Sequence, residues 1–210
     1  MSYSAICYNR PMDRSHVIIS GTGRAGTTFL VQLLTRLGLD TGYQADTIEV
    51  SLLARAGLEM DILAPTAPYI VKSPNLCDLV EEVLASSVRI EHAIIPIRQF
   101  DAAAASRAYV QKITTGSADG KTVVGGLWRT DKADEQVSVL RVKFTKLIEV
   151  LVRHDIPMTF LSYPRLVRDP DYLYGKLQFL LADIDLATFR KTFDELVRPE
   201  WVHQFNGDDR

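Results

Sequence analysis

The chain alternates between short apolar runs and longer amphipathic segments over most of its length. Four of the short runs are rich in β-branched or closely spaced apolar residues, and turn-forming or charged residues follow them. Runs of this kind are typical of strands that are buried on both faces of a parallel sheet. The four predicted strands cover residues 16–20, 69–72, 88–98 and 157–163.

The segments between these runs have helical periodicity. Apolar residues at 29, 30, 33, 34 and 37 predict a first helix that ends at Gly38. Further helices are predicted over 47–60, 76–87, 101–113, 134–154 and 172–184. Because strands and helices alternate, we expect a three-layer α/β fold of the P-loop type, with a mostly parallel central sheet of about four or five strands and helices on both faces. Ligands of such folds bind at the carboxyl ends of the strands.

The domain organisation follows from length and glycine distribution. A chain of 210 residues with 47% apolar side chains suits one domain, which we expect to span residues 1–210. Residues 1–15 are expected to form an N-terminal extension. Residues 114–126 contain four glycines and are a candidate mobile lid loop.

Charge and cysteine content narrow the classes of function. The chain has 24 basic and 26 acidic residues, a net charge of −2, which argues against a surface that coats nucleic acid or an anionic membrane. Cys7 and Cys77 lack metal-ligand spacing and are expected to be ordinary thiols of a reducing compartment. Residues 1–16 lack the apolar core of a signal peptide, and no apolar run approaches the roughly 18 residues of a membrane span. We therefore expect a soluble cytoplasmic protein without nucleic-acid or membrane partners.

A glycine-rich stretch, "SGTGRAGTT" (residues 20–28), connects the first predicted strand to the first helix. Its glycines allow a sharp turn in which backbone N–H groups and the helix N-terminus point at one anion. The spacing matches the P-loop pattern G-x-x-x-x-G-K-[ST] except that Thr27 stands at the lysine position. Arg24 can supply the missing cation, and the hydroxyls of Thr27 and Thr28 can bond to phosphate oxygens.

The predicted strand ends offer cations instead of carboxylates. Lys72, Arg98 and Arg165 follow or close three of the strands, and no acidic residue occupies a final strand position. A kinase-type loop needs Mg²⁺ held partly by such an acidic residue. Cations without a metal site favour transfer of a sulfuryl group. Lysine, arginine and backbone N–H donors can stabilise the charge that develops on this group during transfer. We therefore expect no bound metal.

The glycine-rich stretch and a later pair, Arg98 and Ser106, together resemble the sulfotransferase family. Its first loop is commonly [YG]-P-[KR]-S-G-T-T-[WF]-L, and its 3′-phosphate motif is an arginine followed eight residues later by a serine. The stretch "VKSPN" (71–75) resembles the K-[ST]-P segment of carbohydrate sulfotransferases, and "SYPRLVRDP" (162–170) resembles Y-E-D-L-x-x-D-P. The resemblance spans roughly residues 16–185. It departs from the family at Gly23, where proline is usual, and at Ala25, where serine is usual. We also find no R-K-G nucleotide clamp near the C-terminus.

The resemblance implies 3′-phosphoadenosine 5′-phosphosulfate (PAPS) as the sulfuryl donor and co-substrate. The 5′-phosphosulfate would be held by the first loop, and Arg98 and Ser106 would hold the 3′-phosphate. The implied loop residues are Gly23, Arg24, Ala25, Gly26, Thr27 and Thr28. Lys72 and Arg24 would act in catalysis at the transferring group. The implied acceptor is a hydroxyl of a small molecule or a sugar, and a homodimer is compatible with the chain.

The base that takes the acceptor's proton is expected among carboxylates. Carbohydrate-type members usually place one roughly 25 residues after the first loop, where this chain has Asp46 and Glu49. We prefer Glu49, although the two residues have the spacing of a helix capping box. Two other functions stay open: a P-loop small-molecule kinase that uses ATP or GTP, and a nucleotide-binding protein without catalytic activity.

Overall fold

A computed structural model describes residues 14–48, 56–114 and 125–198. Four strands lie in these residues: β1 (Arg14–Ile19), β2 (Ile70–Lys72), β3 (Val88–Ile97) and β4 (Met158–Ser162). The α-helices of the same residues are α1 (Thr27–Arg36), α2 (Leu76–Ala85), α3 (Phe100–Thr114), α4 (Gln136–Arg153), α5 (Pro170–Leu177) and α6 (Leu186–Leu196). The four strands and the alternation of strands with helices confirm the prediction from apolar runs.

The four strands form one parallel sheet in the order β2-β1-β3-β4. Ile19, near the end of β1, pairs with Lys72 on one side and with Ile94 on the other. Since all strands run in the same direction, their carboxyl ends meet at one edge of the sheet. The glycine-rich stretch, Lys72 and Arg98 therefore leave the sheet at the same edge.

Helices cover both faces of the sheet, which confirms the three-layer α/β class. The β1 side chains alternate: Ile19 packs in a core with α1, α5 and α6, whereas Ile18 packs in a second core with α2 and α4. Helix α3 packs on α4 through a small cluster that includes Ala103 and Leu140. The interior of each face is almost entirely aliphatic, with Phe189 and Phe193 added on the α6 side.

One predicted helix is not found in the described residues, and one observed helix was not predicted. The helix predicted over 47–60 is absent from the described parts of that range, since Thr47 lies in a turn and 56–60 has no regular structure. Gly57 and Leu58 have φ values of 127° and 65°, which a right-handed helix cannot accommodate. Residues 49–55 of the range lie outside the described residues. Helix α6 was not predicted, although Asp185 caps it by accepting a hydrogen bond from the backbone N–H of Thr188.

Three further boundaries differ from the prediction. Arg14 and Ser15 belong to β1, so the expected extension of residues 1–15 is shorter, and residues 1–13 lie outside the described part. Of the candidate lid loop, Thr114 ends α3, and residues 115–124 are likewise not described. The helix predicted over 172–184 starts earlier, at Pro170, and gives way to a 3₁₀ helix over Gln178–Leu180. None of the helices in the described residues combines the length and apolarity needed to cross a bilayer.

Candidate functional site

A cavity of about 590 Å³ opens at the carboxyl edge of the sheet, above the glycine-rich stretch. Almost all the described residues that were predicted from the sequence to bind the sulfuryl donor lie in the wall of this cavity. These residues are Gly23, Arg24, Gly26, Thr27, Thr28, Lys72, Arg98 and Ser106. Ala25 is fully buried behind the wall, and Glu49 lies outside the described residues. The fold thus brings together residues that are up to 83 positions apart in sequence, from Gly23 to Ser106.

The glycine loop, residues 20–28, makes a sharp turn through residues with positive φ. Gly23, Arg24 and Gly26 have φ values of 68°, 56° and 84°, which lie in the left-handed region. These positive φ values let the chain turn sharply before α1, so that backbone N–H groups of the loop can face one anion. Gly26 is also the N-cap residue of α1 and provides no side-chain cap for the first-turn N–H groups. An anion at this position can accept from those N–H groups instead.

Hydrogen bonds connect the glycine loop to the Arg98 and Ser106 pair. Nε of Arg24 donates to Oγ of Ser106 over 3.1 Å, and Nη1 of Arg98 donates to the backbone oxygen of Arg24 over 3.2 Å. Arg98 is 3% exposed, and its guanidinium lies 4.7 Å from the ring centroid of Tyr163. Arg24 therefore connects the glycine loop, to which it belongs, with Arg98 and Ser106. Two phosphate groups of one ligand could contact this set of cations together.

Lys72 projects from the end of β2 into the cavity wall. Its ammonium group donates to Oγ1 of Thr28 over 2.9 Å, to Oε1 of Glu59 over 2.8 Å, and to the backbone oxygen of Gly57. Burial lowers the pKa of Lys72, and the neighbouring Arg24 lowers it further, whereas Glu59 acts in the opposite direction. Lys72 thus links the glycine loop to a carboxylate that sequence reasoning did not select.

Glu59 is that carboxylate, and it lines the same cavity. No local pattern in the sequence marks Glu59 as a site residue. It lies in a segment whose amphipathic sequence predicted a helix, and its partner Lys72 follows 13 residues later. Asp46, one of the two carboxylates expected to act as the base, is exposed in a turn. The described cavity wall contains no residue from the turn that includes Asp46, residues 41–48.

Arg107 is a second cavity residue that sequence reasoning missed. It is 7% exposed and donates from Nη1 to the oxygen of Gly126 and from Nη2 to the oxygen of Thr22, both over 2.7 Å. Its Nε is buried without a hydrogen-bond partner in the described part of the protein. Burial, and secondly the charge of Arg24, lowers the pKa of Arg107 to about 10. Its partners are backbone carbonyls, so no residue pattern could have indicated its role.

The remaining walls come from segments that flank the sheet. Trp128 lines the cavity, and the guanidinium of Arg107 lies 5.3 Å from its ring centroid. Leu196, Val197 and Arg198 close the wall at the end of α6, which the sequence analysis did not assign. Arg165, the third strand-end cation, instead bonds to Asp169 and lies over Tyr172.

Within the described residues, no group of three or more histidine, cysteine, aspartate or glutamate side chains is arranged to hold a metal ion. Comparison with models of known protein families finds no match, and comparison with curated proteins finds none either.

Proposed function

We propose that this protein is a sulfotransferase that moves a sulfuryl group from PAPS to a hydroxyl of a small-molecule or sugar acceptor. One observation carries the proposal: the glycine loop, Lys72 and the Arg98 and Ser106 pair all line one cavity. PAPS has two phosphate-bearing ends, at the 5′ and 3′ positions of one ribose. The hydrogen bonds of Arg24 to Ser106 and from Arg98 support a site in which both ends are held at once.

The charge of the cavity supports a polyanionic ligand. Six cationic side chains line it, whereas Glu59 is the single acidic residue in its described wall. The six are Arg24, Arg36, Lys72, Arg98, Arg107 and Arg198. A concave site lined by charges of one sign concentrates ligands of the opposite charge. Its volume also lies within the range of about 300–1,000 Å³ that small-molecule and cofactor sites occupy.

The proposed reaction is an in-line transfer. The acceptor oxygen forms a bond to sulfur as the bond between sulfur and the 5′-phosphate oxygen breaks, and the electron pair stays on that phosphate oxygen. Arg24 and the loop N–H groups bind the sulfuryl oxygens, and Lys72 stabilises the departing phosphate oxygen. The acceptor's proton passes to a carboxylate, for which Glu49 is the sequence-based prediction.

A labelled-donor experiment tests this function. The protein is incubated with PAPS that contains ³⁵S and a panel of sugars and hydroxylated small molecules, and separately with γ-³²P-labelled ATP and Mg²⁺. We expect ³⁵S to appear in an acceptor while 3′-phosphoadenosine 5′-phosphate (PAP) accumulates. Transfer of ³²P alone would contradict the proposal and favour a kinase. Arg153→Ala is a suitable control, because Arg153 pairs with Glu81 on the surface and does not line the cavity.

A further inference from the structure

Lys72 already uses its full donor capacity within the protein. An ammonium group has three N–H donors, and those of Lys72 point at Thr28, Gly57 and Glu59. Lys72 is 3% exposed, so water has almost no access to its side chain. A 5′-phosphate oxygen that binds Lys72 must therefore replace one of these three acceptors.

Glu59 is the acceptor that an anionic donor would replace. Thr28 belongs to the glycine loop that would hold the same phosphate, and the oxygen of Gly57 is neutral backbone. The Glu59 side chain is 36% exposed and carries a negative charge, so an incoming phosphosulfate repels it while competing for the same ammonium. Exposure also means that the released carboxylate can be solvated within the cavity mouth.

We propose that Glu59 is the base that takes the acceptor's proton, and that donor binding releases it from Lys72. This inference rests on the proposed sulfotransferase function. In the reaction, the O–H bond of the acceptor breaks and its proton moves to the Glu59 carboxylate as the new O–S bond forms. The bond between sulfur and the 5′-phosphate oxygen breaks, and Lys72, now bonded to that oxygen, stabilises its charge. The base is thus available only after the donor is bound.

The position of Glu59 suits this role better than that of Asp46. The Glu59 carboxylate lies 2.8 Å from Lys72 Nζ, the group proposed to contact the bond that breaks, and it lines the cavity. Asp46 lies in an exposed turn and is not part of the cavity wall. Release from Lys72 would leave the Glu59 carboxylate in the cavity wall, where it can accept the proton of an acceptor hydroxyl that enters the cavity.

Calorimetry with PAP tests the release step on the full chain. Glu59→Gln removes both the competing charge and the repulsion, so we expect it to bind PAP about tenfold more tightly than the wild-type protein. In a Lys72→Met background the same substitution removes only the repulsion, so it should raise PAP affinity clearly less than it does in the wild-type protein. Asp61→Asn is a matched control, because Asp61 is exposed, bonds to the N–H of Leu63 and does not line the cavity. Unchanged or weaker PAP binding by Glu59→Gln would overturn the release step.

Sulfate release from PAPS, with water as the acceptor, tests the proton transfer. We expect Glu59→Gln to lower the rate about a hundredfold or more while retaining PAP binding. A Glu59→Gln protein that keeps its rate, with Glu49→Gln losing it, would overturn the inference and leave the sulfotransferase proposal intact. A wild-type protein that binds ATP with Mg²⁺ in preference to PAP would instead contradict the proposed function itself.

Discussion

The guanidinium of Arg107 occupies the space that a side chain at position 23 would need. A Cβ atom on Gly23 would lie 2.5 Å from Nη2 of Arg107, which itself donates to the oxygen of the adjacent Thr22. Gly23 also has a φ of 68°, which proline cannot adopt. Sulfotransferase loops, which this loop resembles, usually have proline at this position. Here the position must be glycine, because Arg107 on α3 fills the space beside it. Arg107 holds the start of the glycine loop through its hydrogen bond to the oxygen of Thr22.

We expect Gly23→Ala to destabilise the protein and weaken PAP binding. The left-handed φ costs a non-glycine residue about 1–2 kcal/mol, and the contact with Arg107 adds to this cost. Gly38→Ala is the matched control, since Gly38 has a φ of 84° but a Cβ there would meet no atom within 4 Å. Urea unfolding should show a larger loss for Gly23→Ala than for Gly38→Ala, and calorimetry should show weaker PAP binding only for the former. Equal losses of stability would show that Arg107 does not restrict position 23.

Lys72→Ala should lower the turnover of PAPS about a hundredfold or more. The substitution removes the charged donor that is proposed to contact the departing phosphate oxygen, and one such transition-state contact contributes about 2.7–4 kcal/mol. Turnover is measured as PAP formed per unit time at saturating donor. Lys191→Ala, on the exposed surface of α6, provides the control. Near-normal turnover by Lys72→Ala would exclude Lys72 from the chemical step.

Arg98→Gln and Ser106→Ala should reduce the preference for a 3′-phosphate. Wild-type protein is expected to bind PAP more tightly than adenosine 5′-monophosphate, which lacks that phosphate. Removal of one charge-assisted contact should weaken PAP binding by roughly tenfold, while binding of the monophosphate changes much less. Calorimetric titration of each variant with both nucleotides gives the two ratios. If both nucleotides lose affinity equally, Arg98 and Ser106 do not recognise the 3′-phosphate.

Asp78 provides a pH-dependent test of the second core. It accepts hydrogen bonds from Lys143 on α4 and from Arg129, so it joins three segments of one face. Burial alone would raise the pKa of Asp78, but the bonds from Lys143 and Arg129 outweigh burial and lower the pKa below its ordinary value. A carboxyl with a lowered folded-state pKa stabilises the protein above its unfolded pKa, and this contribution is lost as the pH falls through the folded pKa.

We therefore expect Asp78→Asn to reduce the free energy of unfolding by about 1.5–3 kcal/mol at neutral pH. The difference from wild type should shrink as the pH falls below the ordinary aspartate value of about 3.9. Urea unfolding at several pH values measures it, with Asp131→Asn at an exposed position as the control. A difference that does not change with pH would mean that the charge of Asp78 is not what stabilises this face.

The sequence predicted those parts of the site that lie at strand ends. Lys72 and Arg98 each follow an apolar run, and a parallel sheet brings the ends of such runs to one edge. Glu59 could not be predicted in this way, because the chain reaches it through two residues with positive φ that interrupt an amphipathic pattern. Helix α6 was predictable from the sequence, because Leu186, Phe189, Phe193 and Leu196 recur at helical spacing after the capping residue Asp185.

Calorimetry with PAP and with ATP, each in the presence and absence of Mg²⁺, tests the central claim most directly. The account predicts that PAP binds with or without Mg²⁺ and more tightly than ATP, because the cavity would recognise a 5′- and a 3′-phosphate through cationic side chains and backbone N–H groups. A preference for ATP that depends on Mg²⁺ would contradict it.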